Sequence, residues 1–132
     1  MKKLLTFLLV PLFLASCASH EDEQRRKLKQ MASNRAEALS AGLPVERGPL
    51  KIMRVLPHDN VVRLMMIYNT DGKNAEPVNQ VLDRSVDSFC SNKEIVANLE
   101  EGLVYEIKIR NARGQLLIDK KVTDQTCNTS ES

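Results

Sequence analysis

The chain is poor in the residues that most catalytic and binding chemistries need. Of its 132 residues none is tryptophan, five are glycine and two are histidine. It has no glycine-rich loop to cradle a phosphate and no serine in a G-x-S-x-G elbow. His20 and His58 stand far apart, in no H-x-x-x-H pair, and both lie far in sequence from Cys90 and Cys127, whose own spacing fits no zinc site. His58 adjoins Asp59, but without a nucleophile or a glycine-shaped pocket the pair reads as a polar turn. No cofactor or metal is expected, and the chain does not read as an enzyme. The longest apolar run, Leu4 to Leu14, is about a dozen residues, short of the roughly 20 that a bilayer-spanning helix requires.

That short run has the context of an export signal. Lys2 and Lys3 precede it and small residues follow it. It ends in Leu14-Ala15-Ser16-Cys17, which resembles the lipobox of bacterial lipoproteins, cut just before the cysteine. By that resemblance residues 1–16 are a signal peptide and Cys17 carries a diacylglycerol and a third, palmitate-type chain. Acyl chains hold a protein to a membrane with about 0.8 kcal/mol per buried methylene. Ala18 and Ser19 follow where inner-membrane lipoproteins have aspartate, which implies the outer membrane.

Charge of one sign is also lacking. Removing residues 1–16 takes Lys2 and Lys3 from the 19 basic residues and leaves 17 against 17 acidic. A neutral chain with only Tyr68, Phe89 and Tyr105 as aromatics has neither the field nor the stacking platforms for nucleic acid. Two cysteines remain beyond Cys17. In an exported protein Cys90 and Cys127 tend to pair, closing a loop worth about 4 kcal/mol in the chain-entropy model. The alternative is two free thiols.

"HEDEQRRKLKQ" (20–30) offers only Leu28 for burial, so residues 17–27 read as lipid anchor and tether, or a frayed helix, ahead of a domain at 28–132. Glu21–Arg25, Asp22–Arg26 and Glu23–Lys27 are favourable i,i+4 pairs. From Leu28 the spacing Leu28, Met31, Ala32, Ala36, Leu39 predicts a helix that Gly42 and Pro44 end. "LKIMRVL" (50–56) and "VVRLMMIYN" (61–69) read as strands around the turn "PHDN", the second apolar on both faces and therefore central. Pro77 opens a helix with the stripe Val78, Val81, Leu82, Ser85, Val86 and Phe89. A second short helix at about 92–101 takes Ser91 to Glu94 as a capping box and Gly102 as its stop. "LVYEIKIRN" and "QLLIDKKV" close the domain as two strands. The expectation is an α+β fold with a roughly four-stranded, mostly antiparallel sheet, helices mainly on one face, and one disulfide.

Binding is the function class left. If Val62, Leu64, Met66 and Tyr68 face the helices, Met65 and Ile67 face away. With Ile52 beside them they form an apolar strip suited to an amphipathic partner helix, unless the first helix or the tail covers it.

Over Ser33 to Cys127 the texture "NRAEALSAGLPVERGPLKIMRV", "VRLMMIYNT", "NQVLDRSVDSFC" and "LVYEIKIRNARGQLLIDKKVTDQTC" resembles the Vibrio-type type II secretion pilotins, the AspS or GspS-beta family. The resemblance implies a small lipoprotein that binds the C-terminal helical segment of a secretin subunit. It would reach the outer membrane through the lipoprotein sorting machinery, facing the periplasm, and promote secretin assembly there. It also places the family disulfide on Cys90 and Cys127 and the lipid on Cys17. Two other classes stay open. A lysozyme-type hydrolase inhibitor would need a protruding loop, for which "PHDNVV" and "NTDGKN" are the candidates, and a carrier of small apolar ligands would need an enclosed cavity.

Overall fold

The computed structural model describes residues 16–129, with side chains from Ser19 onward. The expected leader, apart from Ser16, and the side chain of Cys17 lie outside the described residues. The elements run α1 (Ser16–Ser40), β1 (Val45–Arg47), β2 (Leu50–His58), β3 (Val61–Tyr68), α2 (Val78–Ser91), α3 (Lys93–Glu101), β4 (Val104–Asn111), β5 (Leu116–Val122) and α4 (Asp124–Thr129). The strands form one sheet in chain order. Neighbours joined by turns pair antiparallel, whereas β3 and β4 pair in parallel because the α2–α3 crossover separates them. The fold is the expected α+β class.

Three elements go beyond the sequence expectation. A fifth strand, β1, pairs Val45 with Ile52 and Arg47 with Leu50; three residues are too few to show alternation. The tail becomes α4, its start tied by the Thr126 hydroxyl, which accepts from the Thr123 amide at 3.0 Å. The segment read as a tether or frayed helix is helical throughout and continuous with α1. Every residue from Ser19 to Lys27 is exposed. Here Arg25 pairs with Asp22 at 3.8 Å, and Lys27 leaves Glu23 for Glu101 of α3 at 3.0 Å.

The α1 stripe packs as its spacing predicts. Ala32 and Ala36 are buried to the last few per cent, with Leu28, Met31 and Leu39 around them. Two alanines on the contact face let the axis come close to β2 and β3 without filling the interface with side chain. Leu28 reaches under Gly102, whose φ of +111° ends α3 in the left-handed region that favours glycine. The cap at the start of α3 is Asn92 and not Ser91: its side chain accepts from the Glu94 and Ile95 amides at 3.0 and 3.2 Å. Ser91 stays in α2, bonded to the Asp87 carbonyl.

The core lies between the sheet and the helices. Val62, Leu64, Met66 and Tyr68 alternate into it from β3, and Tyr105, Ile107 and Ile109 from β4. Phe89 of α2 meets Tyr105 with ring centroids 5.5 Å apart. Beside it Cys90 and Cys127 are joined, with Cα atoms 5.2 Å apart, so the end of α2 is fastened to α4. Replacing both cysteines with serine should lower stability by about 4 kcal/mol, the loop-closure value for this spacing. Urea unfolding of the oxidised protein and of the double variant checks it; equal midpoints would show that the bond constrains nothing.

Candidate functional site

The helices do not roof the whole inner face of the sheet. α1 ends at Ser40, whose hydroxyl is shared between the Ala36 and Val55 carbonyls at 2.7 and 3.1 Å. Beyond that point Leu50 and Ile52 of β2 and Leu64, Met66 and Tyr68 of β3 floor an open groove of about 660 Å³. Val81, Ser85, Ser88 and Phe89 of α2 wall one side, and Arg47 and Pro49 at the β1–β2 turn wall the other. One end is shut by the loop after β3. The Tyr68 hydroxyl donates to the Glu76 carbonyl at 2.7 Å, and the Glu76 carboxylate pairs with Arg84. The result is an apolar floor between two polar lips, on a frame that the disulfide and the Phe89–Tyr105 contact hold in place.

The structure brings only part of the expected strip to this groove. Ile52 lies on its floor, directly opposite Met66, whereas Met65 and Ile67 stand half-buried on the outer face of the sheet. The cause is a bulge between Ile52 and Arg54. From the turn onward β2 pairs so that Arg54 meets Met65; without the extra residue Ile52 would meet Ile67. One inserted residue moves everything before it to the opposite face. The strip expected from Ile52, Met65 and Ile67 therefore does not exist as one surface. Leu50, Met66 and Phe89 were missed as groove residues; the available signal was Ser85, a small side chain in an otherwise bulky apolar stripe.

Among the described residues no helix covers the outer face, which carries a lattice of charge around Met65 and Ile67. Arg63 bonds Glu106 at 2.8 Å, Lys108 lies 3.6 Å from Glu106 and 3.2 Å from Asp119, and the Glu106 side chain is only 6% exposed. The chain ties β3, β4 and β5 together with side chains alone. The hydrogen bond from Lys108 holds the Asp119 carboxyl below its ordinary value, against a smaller opposing effect of desolvation. His58 and Asp59 sit 3.8 Å apart, both well exposed at the β2–β3 turn, and His20 is exposed on α1. Among the described residues no cluster of His, Cys, Asp or Glu could hold a metal ion, and no helix is long and apolar enough to cross a membrane.

Comparison with known proteins agrees with this architecture. The pattern of the Type II secretion system (T2SS) pilotin, S protein family matches residues 24–127. Among solved structures, the pilotin EpsS of the Vibrio vulnificus type 2 secretion system is 52% identical, with a TM-score of 0.76 over 80% of this chain and 96% of that one. The pilotin AspS of the Vibrio cholerae type II secretion system is 50% identical, with a TM-score of 0.75 over 81% of this chain and 98% of that one. A protein from Pseudomonas aeruginosa, 17% identical with a TM-score of 0.69 over 79% of this chain and 96% of that one, shares the fold alone. No curated protein matches. The pilotin family is one of non-enzymatic secretion accessory proteins. The chain belongs to the type II secretion pilotin family.

The lowered Asp119 value fixes a pH response. A carboxyl depressed in the folded state adds stability above its unfolded value of about 4 and loses that contribution as pH falls through the folded value. Unfolding midpoints should therefore fall on acidification below about pH 4, and Asp119→Asn should flatten that fall. An unchanged slope in the variant would remove Asp119 from the acid response.

Proposed function

We propose that this protein binds the C-terminal helical segment of a secretin subunit in the groove over Leu50, Ile52 and Met66, and directs that subunit to the outer membrane. The observation that carries the reading is the unroofed groove itself, in a chain of the pilotin family. Its floor is apolar and unbranched at Met66, which adapts to the side chains pressed on it. Its lips are the polar α2 flank and Arg47. A helix presenting apolar residues at i, i+3, i+4 and i+7 buries them there and leaves its other face to solvent.

The action is physical. A secretin subunit released without a partner exposes surface meant for a membrane. Covering part of that surface suppresses aggregation, and an acyl anchor on Cys17 would confine the pair to one membrane through the lipoprotein sorting machinery. Confinement raises the local concentration of subunits, which favours assembly without any new contact. The mature protein then faces the periplasm from the outer membrane, where the disulfide is stable.

Calorimetric titration of the disulfide-bonded domain with the C-terminal peptide of a Vibrio-type secretin tests the groove. Binding should be saturable at micromolar or lower concentration, and Ile52→Asp should weaken it at least tenfold while leaving the fold intact, since Ile52 borders open space. A folded wild-type domain that ignores the peptide would sink the reading. The anchor has its own test in cells. Cys17→Ser should leave peptide affinity unchanged yet misplace the secretin, and normal secretin rings in fractionated outer membranes would count against it.

A further inference from the structure

The protein is neutral as a whole once residues 1–16 are set aside, but its charge is not evenly spread. The sheet register arranges the outer face in three charged rows. Glu46, Lys51, Ile67 and Arg110 form one, Arg54, Met65, Lys108 and Asp119 the next, and Leu56, Arg63, Glu106 and Lys121 the third. Six bases face three acids, a net charge of +3. Arg54 and Lys121 have no ion pair among the described residues, and Arg110 bonds only the Gly114 carbonyl, at 3.0 Å. Leu56, 37% exposed, adds apolar surface beside Met65 and Ile67.

The other side of the molecule has the opposite sign. Across α2 and α3 stand Asp83, Asp87, Glu94, Glu100 and Glu101 against Arg84 and Lys93, with Lys27 and Arg35 of α1 lying on them, a net charge of −1. Arg35 and Lys27 already hold Glu94 and Glu101, so the uncommitted acids are Asp83, Asp87 and Glu100. None of these three lines the groove.

We infer that the outer sheet face of one copy docks head to tail on the α2–α3 face of a second copy of this chain. Both halves of the complementarity are on the same molecule. Because the two patches differ, the contact is heterologous and repeats from copy to copy, closing into a ring or continuing in a row. The acids that carry the contact, Asp83, Asp87 and Glu100, lie outside the groove lining, so the contact leaves the groove to the partner proposed above. The available surface is small. Strands about 4.8 Å apart and some 20 Å long give a face on the order of 400–500 Å², below the roughly 800 Å² per partner of a stable complex. The contact is therefore weak in dilute solution and effective where copies are gathered side by side, at millimolar effective concentration.

Sedimentation equilibrium tests it with a charge swap. The disulfide-bonded protein should self-associate at millimolar concentration in low salt and return to monomer in 0.5 M salt, because exposed charge pairs are screened. Arg54→Glu with Arg110→Glu should abolish association, as should Asp83→Lys with Asp87→Lys, since each leaves like charges facing. Mixing the two variants should restore it. All four residues are free of ion pairs among the described residues, and matching thermal midpoints would confirm intact folds. Wild-type protein that stays monomeric at millimolar concentration in low salt overturns the inference, as do variants that associate unchanged or a mixture that does not recover. None of these outcomes touches peptide binding in the groove, so the two readings fail separately.

Discussion

The central strand β3 is covered by helices on one face only, and most of what distinguishes this domain follows from that. Val62, Leu64, Met66 and Tyr68 supply the buried half; Val61, Arg63, Met65 and Ile67 are left half-exposed on the other. A sheet covered on one side must solvate its second face, and here it does so with ion pairs spanning β3, β4 and β5. Glu106 is nearly buried on the outer face because Arg63 and Lys108 lie over it. Buried carboxylates require such partners, since desolvating an unpaired charge costs far more than any packing there returns. The inner face has the opposite difficulty, too much apolar floor for the helices available, and the surplus becomes the groove.

The groove exists because its walls cannot collapse. α2 would sink onto Leu50 and Met66 if it were free to move, and three separate contacts oppose that. Phe89 rests tilted against Tyr105, Cys90 is bonded to Cys127, and Arg84 is tied to Glu76 in a loop that Tyr68 anchors. The disulfide thus has a positional role alongside its effect on the unfolded chain. Across the groove the β1–β2 turn is held by Gly48 at φ +58°, a left-handed conformation in which a side chain would be strained. A preorganised groove spends little of its contact energy on rearrangement when a partner enters.

Much of this was legible in the residues. The α1 stripe, the double-faced apolar pattern of β3, the alternation in β4 and the one-sided helix layer all follow from spacing. What escaped notice was local. β1 has three residues, too few for periodicity to register. The Asn92 cap competes with an adjacent serine of nearly equal merit. The continuity of α1 through Ser19–Lys27 is invisible to a reading that asks what each helix buries, because that stretch buries nothing. The site suffered most, since a single bulged residue in β2 reverses which face Ile52 occupies. No propensity announces a bulge in "KIMRV", where every residue suits a strand. The disulfide and the family could be read from sequence; the floor of the groove required the register.

The exposed start of α1 has a mechanical consequence. Twelve residues from 16 to 27 as a helix reach about 18 Å in one fixed direction, past the β2–β3 turn. The same residues as a coil would wander over about 19 Å in any direction. The reach is the same, but the coil is a leash and the helix is a strut. An anchor at Cys17, as proposed above, would meet the domain at one height and one azimuth, with the groove already aimed. The orientational entropy that a leash would lose at each encounter is lost once, when the helix forms.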